Sequence, residues 1–254
     1  ASIISQYVSA ALVIIHMMHL KDSCHFDFQV LRLDSLETRR ILGIGIPAGV
    51  QYAIFSIANL FIQVGINSFD SVVVSGNSAA VNVDNVVYNV MAAFYTACST
   101  FMSQNWGAGK HDRMIKSYYI SLGFAFVSAA VLSAAFWLNA SSFLSLFTND
   151  AGVVDAGLKR LQIMCLSFPI SAFMDCTISA CRGIGRSLVP TIVVILGSCV
   201  FRVIWVYTIF AHFHTIPSLY LLYPCSWILT AAAEIVYFIH SFRILNAPKA
   251  EAAK

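Results

Sequence analysis

Apolar residues run along this chain in blocks too long for the core helices of a soluble domain. Seven blocks reach or exceed the ~20 residues that a membrane-spanning helix needs: Ala1–Leu20, Ile41–Asn67, Ala79–Gln104, Ser117–Leu138, Gly157–Cys181, Leu188–Phe213 and Ile216–Ile244. Strand-like stretches such as Val72–Val74 and Thr191–Ile195 are short and embedded in these runs. No alternating ten-residue pattern suggests a barrel, and a helix satisfies its own backbone in hydrocarbon. The pattern therefore predicts an all-α membrane protein with about seven transmembrane helices.

Composition sharpens that reading. Apolar residues make up 59% of the 254 and charged residues 11%, against roughly 25% charged in soluble domains. The net charge of +3 is small, and no basic cluster interleaved with aromatics resembles a nucleic-acid face. Six of the seven cysteines (Cys98, Cys165, Cys176, Cys181, Cys199 and Cys225) lie inside apolar runs, at spacings of neither a disulfide framework nor a zinc site. They read as small packing residues.

The position of the cations sets an orientation. Lys21, Arg32, Arg39 and Arg40 fall in the first connection, Lys110, Arg113 and Lys116 in the third, Arg182 and Arg186 at the fifth, and Arg243, Lys249 and Lys254 at and after the end of the last run. The alternate connections carry none, and only Lys159 and Arg160 break the asymmetry. The positive-inside rule puts the basic loops and the C-terminus in the cytoplasm, which predicts a multi-pass protein of the cell (inner) membrane. The expected organisation is a last helix of a missing N-terminal lobe (1–20), a cytoplasmic linker (21–40), a six-helix lobe (41–245) and a cytoplasmic tail (246–254).

Ionisable groups inside spanning helices are costly and by default face a bundle interior or a wet cavity. Asp84, Asp175 and Glu234 qualify. Ser171, Asp175, Ser179 and Arg182 follow at i, i+4, i+8 and i+11 on one helix face. Pro169 just before them is expected to kink the helix and free backbone carbonyls. Asp84 shares a face with Tyr88 and Tyr95, beside a strip of Asn82, Asn85 and Asn89, while the preceding helix carries Gln51, Asn59, Gln63 and Asn67 at multiples of four. Together these helices can wall a polar cavity suited to amphipathic cations. The candidate coupling or substrate residues are Asp175, Asp84, Ser171, Asn59, Gln63 and Tyr88. The bland alternative is that amides and hydroxyls merely bond neighbouring helices, at ~0.6 kcal/mol each. Glu234 has no polar stripe beside it and is a candidate partner for Arg202, which a cation–π contact would also suit. Gly45 and Gly49 form a small-xxx-small pair fit for close helix packing. The histidines lack metal-ligand spacing, no catalytic constellation appears, and no cofactor is implied. Arg182–Gly183–Ile184–Gly185–Arg186 follows a membrane helix and reads as a surface turn.

Four segments, in order, resemble the MATE (multidrug and toxic compound extrusion) family. Gly45–Ile46–Pro47–Ala48–Gly49–Val50–Gln51 is similar to the opening of its seventh helix, and Ser103–Gln104–Asn105–Trp106–Gly107–Ala108–Gly109–Lys110 to the end of its eighth. Leu144–Ser145–Leu146–Phe147–Thr148–Asn149–Asp150 resembles the external loop before the tenth, and Arg182–Gly183–Ile184–Gly185–Arg186–Ser187–Leu188–Val189–Pro190 the loop after it. The resemblance implies helices six to twelve of a twelve-helix antiporter, exporting organic cations, drugs or toxins in exchange for Na+ or H+ by alternating access. Its partners would be small organic cations, the lipid bilayer and the missing N-terminal lobe, with no nucleic acid. By resemblance, Asp175 lies about one turn from an acidic position of the tenth helix, and Asp84 fits one of the eighth. The seventh-helix glutamate of one branch has no counterpart among Tyr52, Ile54 and Phe55, and the first-helix aspartate of another falls outside this chain. Two other readings remain beside it: a flippase of the same superfamily for lipid-linked saccharides or cell-wall precursors, which would favour an Arg-lined cavity, and a seven-helix receptor or sensor.

Overall fold

The computed structural model describes residues 2–21, 25–27, 32 and 34–246. Asp22, Cys24, Lys249 and Lys254, part of the expected linker and tail, lie outside the described residues. The chain divides into two compact units, Ala1–Leu42 and Gly43–Lys254. The first contains α1 (Ser2–His19) and the opening turns of α2 (Ser35–Asn67). Asp34 accepts hydrogen bonds from the backbone of Leu36 and Glu37 and so starts α2.

The second unit holds the rest of α2, α3 (Ser71–Gly107), α4 (His111–Leu138), the short α5 (Ala140–Leu144) and α6 (Ala151–Gly183). They are followed by α7 (Leu188–Phe213), α8 (Ile216–Tyr220) and α9 (Leu222–Asn246). Every described element is helical. Five helices are long and apolar enough to cross a membrane: α2, α4, α6, α7 and the stretch Ile216–Arg243. The expected count of seven included α1 and α3. At 37 residues α3 has ample length, about 55 Å, but its amides and Asp84 dilute its hydropathy. The described part of α1 is shorter than its apolar run.

Short polar signals set the helix boundaries. The Asp70 carboxylate accepts from Val73 N–H at 3.0 Å and caps α3, and Asp150 accepts from Gly152 N–H at 2.8 Å and caps α6. Thr215 and Ser218 form a reciprocal capping box at α8. Gly109 (φ +67) and Gly185 (φ +78) take the left-handed turns that end α3 and α6. Thus three of the four family-like segments sit at helix ends, where backbone chemistry is most demanding.

One correction concerns packing. A Cβ at Gly45 or Gly49 would meet nothing within 4 Å, so the expected close contact through this pair is not made within the structure. The close crossing lies between α3 and α6 instead. A Cβ on Gly76 would come 2.6 Å from the Val153 carbonyl oxygen and one on Gly183 2.6 Å from that of Ser99. Glycine at both ends lets these helices run in contact along their length, over a core of Val83, Val87, Met91, Met164, Ala172 and Cys176. Pro169 lies inside α6, which runs as one helix from Ala151 to Gly183. Two π-helical stretches, Ile195–Val200 and Val206–Phe210, interrupt α7. The exposed Ile120, Phe124, Val127 and Val131 line an outer face of α4 suited to lipid.

Candidate functional site

The most buried span, α6, carries the groups around which the polar residues collect. Asp175 lies part-buried on it. Among the described residues it closes no ion pair and makes no side-chain hydrogen bond. Its charge acts on Tyr88 and Tyr95 from α3, on Arg202 from α7 and on Arg182 two turns further along α6. The Tyr88 and Tyr95 rings stand 6.1 Å apart, and Tyr88 is 46% exposed. Arg182 donates from Nη2 to Gln51 Oε1 on α2 at 2.8 Å. The arrangement offers an unengaged carboxyl on the same helix face as one tethered cation, within electrostatic reach of the paired Tyr88 and Tyr95. Such a set can take up a proton, a small cation or the charged end of an organic cation.

Asp84 occupies a different environment. Its Oδ2 is paired with Nη2 of Arg160 on α6, and the two side chains are 15% and 5% exposed. Arg160 Nη1 also donates to the Asn77 carbonyl oxygen at 3.2 Å and to Asn77 Oδ1 at 2.8 Å. Tyr220 donates its hydroxyl to the same Oδ1 at 2.9 Å, with its ring 5.4 Å from the guanidinium. Asp84 Oδ1 and Arg160 Nε are buried without partners. This cluster ties α3, α6 and α8 together. It also explains the exception to the charge asymmetry: Arg160 is an interior residue, and Lys159 is a surface one paired with Asp155 at 2.7 Å.

The expected pairing of Glu234 with Arg202 is not formed. Arg202, 2% exposed, donates from Nε to Ser226 Oγ at 3.2 Å. The rings of Tyr223, Phe55 and Trp227 surround its guanidinium at 4.7, 5.2 and 5.9 Å. Aromatic faces replace the carboxylate, as the alternative suggested by the sequence allowed. Glu234, fully buried, has neither carboxyl oxygen hydrogen-bonded.

The remaining sequence candidates scatter. Ser171 is buried and donates to its own helix, at Phe168 O, 2.9 Å. Gln63 bonds Asn67 along α2 at 2.9 Å, and Asn59 is exposed on the same helix. Only Asp175 and Tyr88 are brought together, with Tyr95, Arg182 and Gln51 joining them. Asn77 and Tyr220 escaped the sequence reading, and Arg160 entered it only as an exception to the charge asymmetry. The detectable signal was Asn77 seven residues before Asp84, on the same face of α3, and Arg160 as a cation inside an apolar run. Among the described residues no three of His, Cys, Asp or Glu gather as a metal site would need.

Comparison with known proteins agrees with this architecture. The chain is 24% identical over 194 residues to the probable multidrug resistance protein NorM of Photorhabdus laumondii subsp. laumondii, covering 75% of this chain and 41% of that protein. It is 25% identical over 133 residues to the probable multidrug resistance protein YpnP of Bacillus subtilis (strain 168), covering 52% of the chain and 30% of that protein. The fold matches the outward-facing conformation of a multidrug resistance MATE family transporter of the MOP superfamily, with TM-score 0.84 at 18% identity over 95% of this chain and 55% of that one. It also matches a MOP superfamily transporter from Pyrococcus furiosus Vc1 described as having a binding pocket of reverse polarity, with TM-score 0.81 at 19% identity over 94% and 55%. The chain therefore spans about half the length of these structures and less of the curated relatives. The sequence profile of the MatE family matches residues 47–208, across α2 to α7, and this chain belongs to the MatE family.

Proposed function

We propose that the protein carrying this chain is a secondary antiporter that exports small organic cations and other toxic amphipaths in exchange for Na+ or H+. The chain supplies one lobe, a second N-terminal lobe supplies the facing wall, and the two rock around a central cavity in alternating access. Asp175 is the acid of this lobe that binds the coupling ion or the substrate cation. The observation that carries this reading is an acid that, among the described residues, has no ion pair or side-chain hydrogen bond, set in spanning helix α6 on the same face as Ser171, Ser179 and Arg182. That two relatives are probable multidrug resistance proteins supports the drug-export part of this reading. The charge asymmetry along the sequence supports a cytoplasmic C-terminus, and the reading takes the membrane to be the cell (inner) membrane.

Asp84 is the second acid in this reading, and its Oδ1 stays free of partners, while Oδ2 is engaged by Arg160. A flippase for anionic lipid-linked sugars would need several uncommitted arginines on a cavity. Among the described arginines inside the spanning helices, Arg160 is committed to Asp84, Arg202 to its aromatic box and Arg182 to Gln51.

The test is export of a fluorescent organic cation by the full-length protein in vesicles under imposed Na+ or H+ gradients. Wild type is expected to export and Asp175→Asn to lose gradient-driven export. Full activity in Asp175→Asn would move coupling out of this lobe, and no export under either gradient would overturn the antiport reading.

A further inference from the structure

At the basic end of the lobe, α4 and α9 leave a cleft between them that the transport cycle does not use. Both helices pack on α6, and where they part a cavity of about 140 Å³ opens, walled by aromatic and aliphatic side chains. Its floor is fixed. The Tyr118 ring of α4 lies 4.7 Å from the Phe238 ring of α9, and Phe238 stands 6.0 Å from Phe242 one turn on. The Tyr118 hydroxyl is drawn into the core, where it donates to Thr177 Oγ1 of α6 at 2.9 Å. Thr177 uses its own proton on the Phe173 carbonyl oxygen at 2.6 Å, which sets that direction. The floor is therefore apolar, while Tyr119 and Ile239 on the rim are 65% and 46% exposed, so the cleft faces outward.

The surroundings select an occupant. Next to the cleft, Ile120 on α4 and Val236 on α9 are apolar and exposed, so it opens towards acyl chains. An apolar cavity of roughly 150 Å³ takes up a molecule the size of benzene, and this one has room for part of one chain. A cation at its edge distinguishes it from bare lipid-facing surface. Arg243 lines the cleft from the last turn of α9, is exposed, and closes no ion pair among the described residues. It follows Ile239 by four residues and shares its face. Lys116, also exposed, precedes Tyr119 by three residues on α4 and shares that face. Lys110, Arg113 and Lys116 outnumber Asp112, the acid of the first turn, and leave this end of α4 cationic.

We propose that this cleft binds an anionic phospholipid of the adjacent leaflet, with one acyl chain against Tyr118, Phe238 and Phe242 and the phosphate on Arg243. The guanidinium offers paired N–H donors that match phosphate oxygens. A zwitterionic headgroup brings its own ammonium, which Arg243 and Lys116 repel, whereas an anionic headgroup meets attraction alone. The anionic lipid is then preferred by about fivefold for each cation it engages. In the proposed orientation this leaflet is the cytoplasmic one, where anionic lipid is found. The bound lipid bridges the ends of the two helices that flank α6, and its binding does not depend on the antiport reading.

Native mass spectrometry of the purified full-length protein, with phosphatidylglycerol or phosphatidylcholine of identical chains added in detergent, reads the site directly. Wild type is expected to retain phosphatidylglycerol about fivefold more strongly or better. Arg243→Gln should remove that preference, and Arg243→Lys should restore most of it. Ile239→Trp fills the cleft while leaving Arg243 in place, and should weaken phosphatidylglycerol binding as well. Lys159→Gln, which removes an exposed cation near the start of α6, is the control and should change nothing. Equal retention of the two lipids by wild type, or a preference that survives Arg243→Gln, overturns the proposal. The same loss in Lys159→Gln would mean diffuse surface charge and overturn it too. Unchanged binding in Ile239→Trp, or complete displacement of the lipid by free glycerol phosphate, would show a headgroup contact without the cleft and is equally fatal.

Discussion

Breaking the Asp84–Arg160 pair should destabilise the lobe asymmetrically. The guanidinium is 5% exposed and the carboxylate 15%, so neither can be rehydrated without opening the α3–α6 crossing. Asp84→Ala leaves a cation that cannot shed its proton, supported only by the neutral acceptors of Asn77 and the ring of Tyr220. Removing one partner of a buried pair costs about 3–5 kcal/mol, and the Asn77 contacts hold the expectation to the lower end, about 3 kcal/mol. Arg160→Met leaves an acid that can accept a proton and become neutral, so its cost should be smaller, about 1–3 kcal/mol. The double substitution Asp84→Leu with Arg160→Met replaces the pair with apolar volume and should return to within about 1 kcal/mol of wild type. Reversible unfolding of the full-length protein in bicelles, run as a double-mutant cycle, measures all three. Costs that simply add, or an Asp84→Ala variant as stable as wild type, would refute the idea that this pair clamps α3 to α6.

Other expectations follow from the same contacts. Gly183→Val pushes a side chain into the Ser99 carbonyl and the Met102 Cβ, 2.6 and 2.8 Å from the first added carbon, and should cost about 1–3 kcal/mol in the same unfolding assay. Gly123→Ala on α4, where a Cβ meets nothing within 4 Å, should lose no stability and serves as its control. Gly185→Ala forces a Cβ into the left-handed turn at φ +78 and should cost about 1–2 kcal/mol. Arg202→Met should unfold within about 1.5 kcal/mol of wild type, because the Phe55, Tyr223 and Trp227 box accepts an apolar chain as readily as a guanidinium; a loss above 3 kcal/mol would show that the cation itself holds α7 to α9.

The elements were legible in the sequence because hydrocarbon leaves the backbone so few options. Long apolar runs had to become helices, and the glycine-rich turn Arg182–Arg186, with Gly185 at positive φ, marks the end of one of them. The small, apolar role of Cys98, Cys165, Cys176 and Cys181, all buried and unpaired, was legible for the same reason. Partnership between helices was not. Helical periodicity says which residues share a face, but it does not say which other face meets it or at what height. Thus Asp84 and Arg160, 76 residues apart, become a pair only once α3 crosses α6 on Gly76, Gly157 and Gly183. The same crossing sets Tyr88 and Tyr95 near Asp175, while Gly45 and Gly49, identical in pattern to a packing motif, face open space. Arg202 finds three rings and a hydroxyl instead of Glu234, because a buried cation takes whatever electron-rich surface the neighbouring helices bring within reach. What the sequence alone determined is the run of membrane helices and the family; which polar side chains meet depended on helix crossings, and those are a property of the packed lobe.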